Sequence, residues 1–242
     1  MTEPIADLRA RSGDEEAHRG AARRMFERIA PTYDLVNRLM SAGIDRRWRV
    51  KAVAEIAGVG PGPVLDLCAG TMALTSMVAR ARPHDRVVAV DFSPAMLEAG
   101  RHRAPEAEVV VADAAALPFE AGSFEAVVCG FGMRNLADPV AGAREVRRVL
   151  RPGGVFVTLE FFRPTRAATR AFHKAYATLV LPAVGGLLSG ERGAYDYLAR
   201  SMAGFLSREE YERALGDAGF ERVRGSDLTM GVASLVRAEA RS

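Results

Sequence analysis

Lysine is nearly missing from this chain: Lys51 and Lys174 are its only two, against 31 arginines. With 30 acidic residues the net charge is only +3. The arginines are not gathered with aromatics on one segment, so nucleic-acid binding is not expected. Cysteine is equally scarce. Cys68 and Cys129 show no metal-ligand spacing and read as reduced thiols of a cytoplasmic protein. The four histidines, His18, His84, His102 and His173, are scattered, and no metal site is predicted. Nor does any apolar run reach the roughly 18 residues of a spanning helix. The longest candidate, YATLVLPAVGGLL at 176–188, is broken by Pro182 and two glycines. The opening MTEPIADLRARSGDEEAHRG alternates charge without an apolar core, so no secretory leader is expected and 1–20 reads as a flexible lead-in.

What is present is apolar content of 49%, enough for one sizeable core. PVLDLC, RVVAVD, AEVVVAD, FEAVVCGF and GVFVTLEF are short, β-branched runs apolar on both faces, as parallel strands under helices should be. MALTSMVARAR, SPAMLEAGRHRA and PVAGAREVRRVLRPGG between them have helical spacing. The last carries Ala143, Val146, Val149 and Leu150 on one face and ends at Pro152-Gly153-Gly154. Such alternation predicts an α/β fold, a mostly parallel sheet with helices on both faces.

Ligands in such sheets sit at the carboxyl ends of the strands. Those ends carry Asp66 before the Ala69-Gly70-Thr71 turn, then Asp91 with Phe92 and Ser93, then Asp113-Ala114, Gly130-Phe131 and Glu160. One carboxylate closing the second strand can accept from both ribose hydroxyls, which makes Asp91 the ribose candidate. Ser93 and Pro94 also read as the cap and first position of a helix, and the two readings are compatible. Asp113 can accept from an adenine amino group while the Ala114 amide faces a ring nitrogen. The loop lacks both the three spaced glycines of a dinucleotide site and the lysine of a phosphate loop. An adenosine carrier without phosphates fits better, and S-adenosylmethionine is the common one. A second glycine is expected after Thr71, yet Met72 stands there.

From about Arg24 to Val236 the chain resembles the ubiquinone/menaquinone-biosynthesis C-methyltransferases of the demethylmenaquinone methyltransferase type. The resemblance rests on MFERIAPTYDLVNRLMSAGIDRRWR at 25–49, FGMRNLADP at 131–139, REVRRVLRPGG at 144–154, LEFFRP at 159–164 and YDYLARSMAGFLSREEYERAL at 195–215. It implies a class I methyltransferase sheet of seven strands with an antiparallel last strand, here TMGVASLVRAE, and cofactor contacts at Thr71, Asp91, Asp113, Ala114 and Gly130. Asp66, Gly70 and Phe92 join that cofactor set by their places on the same strand ends. Two residues depart from the family's pattern: Met72 replaces the second glycine of Gly-Thr-Gly, and Asp45 replaces a common histidine.

The implied chemistry is methyl transfer to a ring carbon of a reduced prenylated quinone, a demethylmenaquinol or similar. Phenols titrate near ~10, so a site that activates the ring carbon must stabilise a phenolate. Arg134 and Glu160 are the catalytic candidates, the arginine meeting the quinol oxygen and the glutamate holding the arginine. A structural ion pair is the alternative for both. Tyr33, Asn37, Asn135 and Tyr195 are the candidates for enclosing the substrate.

The expected organisation after the lead-in is a helical lid over 21–58 and a methyltransferase domain over 59–242, with a helical substrate-side insertion at about 165–205. Arg166, Arg170 and Lys174 followed by LVLPAVGGLL suit a basic, apolar surface for peripheral membrane contact, or a homo-oligomer contact. Methylation of a phenolic or polyketide natural product and a non-catalytic scaffold of the same fold remain as alternatives.

Overall fold

The computed structural model describes residues 20, 23–176, 178, 197 and 200–241. Most of the lead-in, the apolar run at 179–188 and Tyr195 lie outside the described residues.

Among the described residues three helices precede the sheet: α1 over 23–29, α2 (Tyr33–Ser41) and α3 (Ile44–Ala54). Then strands and helices alternate through β1 (Val64–Leu67), α4 (Ala73–Ala81), β2 (Val87–Asp91), α5 (Pro94–Gly100), β3 (Glu108–Val111), β4 (Phe124–Gly130), α6 (Pro139–Val149) and β5 (Leu150–Glu160). The chain closes with α7 (Ala167–Ala175), α8 (Arg208–Asp217), β6 (Phe220–Leu228) and β7 (Ala233–Ala240). The seven strands lie in the order β3-β2-β1-β4-β5-β7-β6. The first five pair in parallel, and β7 runs antiparallel to both β5 and β6.

This order follows from the residues. β1 and β2 are buried at every position because helices cover both faces, so their Val and Leu side chains have no polar alternation to show. Each such side chain withdraws apolar area worth roughly 1.5–3 kcal/mol. α6 buries Ala143, Val146 and Val149 of the predicted face, while Leu150, expected with them, opens β5; Pro139 follows an Asp138 cap whose carboxylate accepts from the amides of Val140 and Ala141. Pro152-Gly153-Gly154 does not break the chain direction. It lies within β5 at a register shift against β4, where a bulge absorbs it.

β3 differs from expectation: it is an edge strand and its four residues are partly or fully exposed. β6, which the apolar pattern did not reveal, forms the other edge. Glu221, Arg222, Arg224 and Asp227 interrupt its hydrophobicity, and such charges protect a free edge from pairing with other chains. α8 starts with a capping box in which Ser207 and Glu210 exchange hydrogen bonds, and docks on β5 through Tyr211, whose hydroxyl lies 3.0 Å from Thr158.

Candidate functional site

The carboxyl ends of β1, β2, β3 and β4 surround a cavity of about 220 Å³. Gly70, Asp91, Phe92, Asp113, Ala114 and Gly130 line it. Small residues from other elements, Ala112, Ala115, Gly132, Ala137 and Ala141, leave its walls close to the backbone. Phe26 and Tyr33 close it from the N-terminal helices, and Asn135 and Leu136 from the turn after β4.

The loop after β1 is shaped by left-handed backbone. Cys68, Gly70 and Met72 have φ of 56°, 52° and 58°, a conformation that costs a residue with a Cβ roughly 1–2 kcal/mol. Met72 therefore adopts the glycine conformation at a cost, and the offset is visible in its packing. Its side chain is fully buried in the cluster of Trp48, Ile56, Leu74 and Val78, and does not line the cavity. The loop is pressed from the other side by Gly100 of α5, where any Cβ would collide with the Thr71 backbone. Gly100 is thus required for the close approach of helix and loop.

Asp91 ties the loop to the next strand end. One carboxylate oxygen accepts from the Gly70 amide at 2.8 Å and the other from the Ser93 amide at 2.9 Å. Ser93 meanwhile caps α5 with Pro94 in its first turn, as DFSPAML predicted, and leaves Asp91 at the strand end. Burial pushes the Asp91 carboxyl up to about 6, against the pull of those two amides. Each oxygen keeps a second lone pair, the capacity that two adjacent sugar hydroxyls require. The residues present thus fit an adenosine cofactor.

Asp66, Thr71, Arg134, Glu160 and Asn37 do not line the cavity. Asp66 faces α4, where it accepts from the Thr75 hydroxyl at 2.6 Å. Its other oxygen is buried without a hydrogen-bond partner among the described residues, and burial raises its carboxyl to about 7. The Thr71 hydroxyl turns to the N-terminal helices and donates to Asp34 at 2.8 Å, whose second oxygen pairs with Arg103 at 2.5 Å.

Arg134 and Glu160, expected on the rim, lie behind it. Glu160 is fully buried and draws the guanidinium inward, with Nη1 at 2.7 Å from the carboxylate and 2.5 Å from the Phe131 carbonyl. Burial works against the charge of Arg134, but the Glu160 carboxylate prevails and raises its pKa. Glu160 also accepts from the Arg134 and Phe161 amides, so the pair fixes the turn Met133–Asn135. That turn presents Asn135 to the cavity, where its carbonyl accepts from the Tyr197 hydroxyl at 3.1 Å. Phe131 and Phe161 stack at 4.6 Å beside the pair, with Arg49 over one ring and Arg134 over the other. Asp45, at the position of the family histidine, accepts from Ser41 at 2.7 Å and forms an ion pair with Arg49.

Sequence reasoning did not single out Phe26, Cys68, Met96 or Asp138, all of which line the cavity. Phe26 meets Tyr33, Phe92 and Tyr197 edge to face at 6.0–6.3 Å, an aromatic cover over the cofactor candidates. Its place in MFERIAPTYD was the available signal.

The fold is that of class I methyltransferases. A SAM-dependent methyltransferase structure from Thermotoga maritima superposes with a TM-score of 0.65 at 20% identity, covering 90% of this chain and 99% of that one. The model of the ubiE/COQ5 methyltransferase family matches residues 13–239, and the chain belongs to that family. A demethylmenaquinone methyltransferase from Thermus thermophilus is 44% identical over 87% of this chain and 97% of its own length. A ubiquinone/menaquinone biosynthesis C-methyltransferase UbiE from Syntrophotalea carbinolica is 41% identical over 88% and 91%. The protein is accordingly an S-adenosylmethionine-dependent methyltransferase.

Proposed function

We propose that this enzyme methylates a ring carbon of a reduced prenylated quinone, a demethylmenaquinol or close relative. The observation that carries the substrate reading is the membership of the ubiE/COQ5 family, with relatives named demethylmenaquinone methyltransferase, and the convergence of Gly70, Asp91, Asp113, Ala114 and Gly130 on one cavity beneath Phe26 and Tyr33 supports the methyl donor. S-adenosylmethionine, when bound there, supplies an electrophilic methyl group.

The chain's own residues then have separable tasks. Asp91 accepts from the ribose hydroxyls and Asp113 from the adenine edge, while the Gly70 amide stays fixed by Asp91. Thr71 and Asp66 act through the loop, holding it to Asp34 and Thr75. Arg134 and Glu160 act as positioning residues that set Asn135 and Phe131 against the quinol. Tyr33, Phe26 and Tyr197 exclude water from the reacting atoms, which strengthens every electrostatic contact inside. Helices α1 to α3 serve as the lid. Leu35 and Leu39 of α2 are 51% and 50% exposed, an apolar face beside this cover that suits the prenyl tail or a membrane surface. Among the described residues no helix is long and apolar enough to cross a membrane.

The test is transfer of labelled methyl from S-adenosylmethionine to a panel of reduced naphthoquinones and benzoquinones, with and without prenyl tails, beside tail-free phenols. Methylation of a prenylated quinol is expected. Methylation of the simple phenols alone would overturn the reading.

A further inference from the structure

The two cysteines of this chain meet at the floor of the cofactor cavity. Cys129 is the partner of Leu67 in the β1–β4 register, and Cys68 is the next residue. Adjacent strands run about 4.8 Å apart, so one residue of offset puts the two α-carbons about 6 Å apart, inside the range a disulfide spans. Strict alternation would send Cys68 to the face opposite Leu67. Its left-handed backbone, φ 56°, cancels the alternation, and Cys68 packs with Leu67 and Cys129 on one face. Both sulfur atoms lie within 3.0 Å of a single point, the position a Cβ on Gly132 would take, so they stand no more than about 5.9 Å apart.

Gly132 leaves the room they occupy. A Cβ at that position would stand 2.9 Å from the Cys129 sulfur and 3.0 Å from the Cys68 sulfur, closer than real side chains pack. Both Cys68 and Gly132 line the cavity, whereas Cys129 is fully buried behind them.

We propose that Cys68 and Cys129 form an oxidisable dithiol whose closure to a disulfide withdraws the cofactor loop and lowers affinity for S-adenosylmethionine. The step breaks two S–H bonds and forms one S–S bond. The two electrons and two protons pass to a quinone, which becomes its hydroquinone. The identity of the oxidant rests on the quinol reading above, since the oxidised form of such a substrate is the quinone; the dithiol itself rests on the geometry alone. Methyl transfer needs the electron-rich quinol, so an enzyme that loses its cofactor when quinone accumulates answers to the redox state of its own substrate pool. Cys68 lines the cavity and Cys129 is fully buried behind it, which favours an oxidant that enters the cavity over one attacking from bulk water.

The experiment treats the reduced full-length chain with tetramethyl-1,4-benzoquinone, whose ring carbons are all substituted and therefore do not add thiols. Intact mass and peptide mapping follow the cysteines, and calorimetry follows S-adenosylmethionine affinity. The expected result is a chain lighter by two hydrogens, a cross-linked pair of Cys68 and Cys129 peptides, and affinity weaker by about tenfold or more, restored by dithiothreitol. Cys129→Ala and Cys129→Val, both checked for an unchanged thermal transition, are expected to bind cofactor equally before and after the same treatment. Two thiols that persist through treatment, a disulfide form that binds as tightly as the dithiol, or a Cys129 variant that is just as sensitive would each overturn the proposal. Methyl transfer by the reduced chain is assayed separately, so failure of the quinol reading is seen independently of the oxidation results.

Discussion

The Asp34 carboxylate of α2 accepts a hydrogen bond from the Thr71 hydroxyl at 2.8 Å, joining the N-terminal helices to the cofactor loop across 37 residues of sequence. The same carboxylate pairs with Arg103, beyond α5. A half-exposed contact of this kind is worth about 1 kcal/mol. Asp34→Ala is therefore expected to leave the fold intact and to weaken S-adenosylmethionine binding by about threefold to tenfold, mainly through faster release. Stopped-flow displacement, with hydrogen exchange over residues 23–41, checks it; unchanged release would separate the helices from cofactor retention.

Asp91→Ala removes the acceptor of two amides as well as the proposed ribose partner. Loss of two charge-assisted bonds to ligand corresponds to roughly 2–4 kcal/mol. Calorimetry on folded protein is expected to show binding weaker by about 30-fold or more, and the thermal transition to fall because the Gly70 and Ser93 amides lose their partner. Full affinity in a folded variant would move the ribose site elsewhere.

Met72→Gly relieves a left-handed residue, worth about 1–2 kcal/mol, but empties a fully buried side-chain position, which costs about 2–5 kcal/mol. The lost burial outweighs the relieved strain. The variant is expected to be less stable by about 1–3 kcal/mol in denaturant unfolding, while cofactor affinity changes less than about tenfold because the methionine points away from the cavity. A wild type that binds no cofactor, rescued by Met72→Gly, would contradict that packing.

Arg134→Ala leaves Glu160 charged, buried and unpaired, a loss of about 3–5 kcal/mol. Replacing both by methionine restores most of this stability, because no isolated charge remains. The double variant is expected to fold and bind cofactor yet transfer methyl slowly, since the turn that presents Asn135 has lost its anchor. Turnover at the wild-type rate in that variant would reduce the pair to a purely structural role.

Asp66 and Asp91 make the cofactor-free protein less stable as pH rises. Both carboxyls are raised above their unfolded value of 3.8, to about 7 and about 6. A raised pKa means the folded state holds the proton more tightly, so the contribution is full below about pH 4 and is lost as pH rises through the folded values. For Asp66 the span corresponds to about 4 kcal/mol. The difference in stability between wild type and Asp66→Asn is expected to change in the variant's favour from pH 5 to pH 8. A difference that stays constant across that window would show that Asp66 titrates as an ordinary carboxylate.

Repeated β-branched runs were enough to establish the alternating fold, and the acidic residues at the strand ends pointed to a rim with adenosine chemistry, because each is a local pattern with a period or an end. The charged edge strand β6 escaped because its hydrophobicity is interrupted where no helix covers it. The family motifs carried the substrate class, which no spacing of residues in this chain expresses. Three-dimensional packing alone decided the rest. It turned Met72 into the core, drew Arg134 back to Glu160, sent Thr71 to Asp34, and set Cys68 against Cys129. Direction of a side chain at a strand end depends on backbone sign and on which neighbour is buried nearest. Neither quantity is periodic, so neither is written in the order of residues.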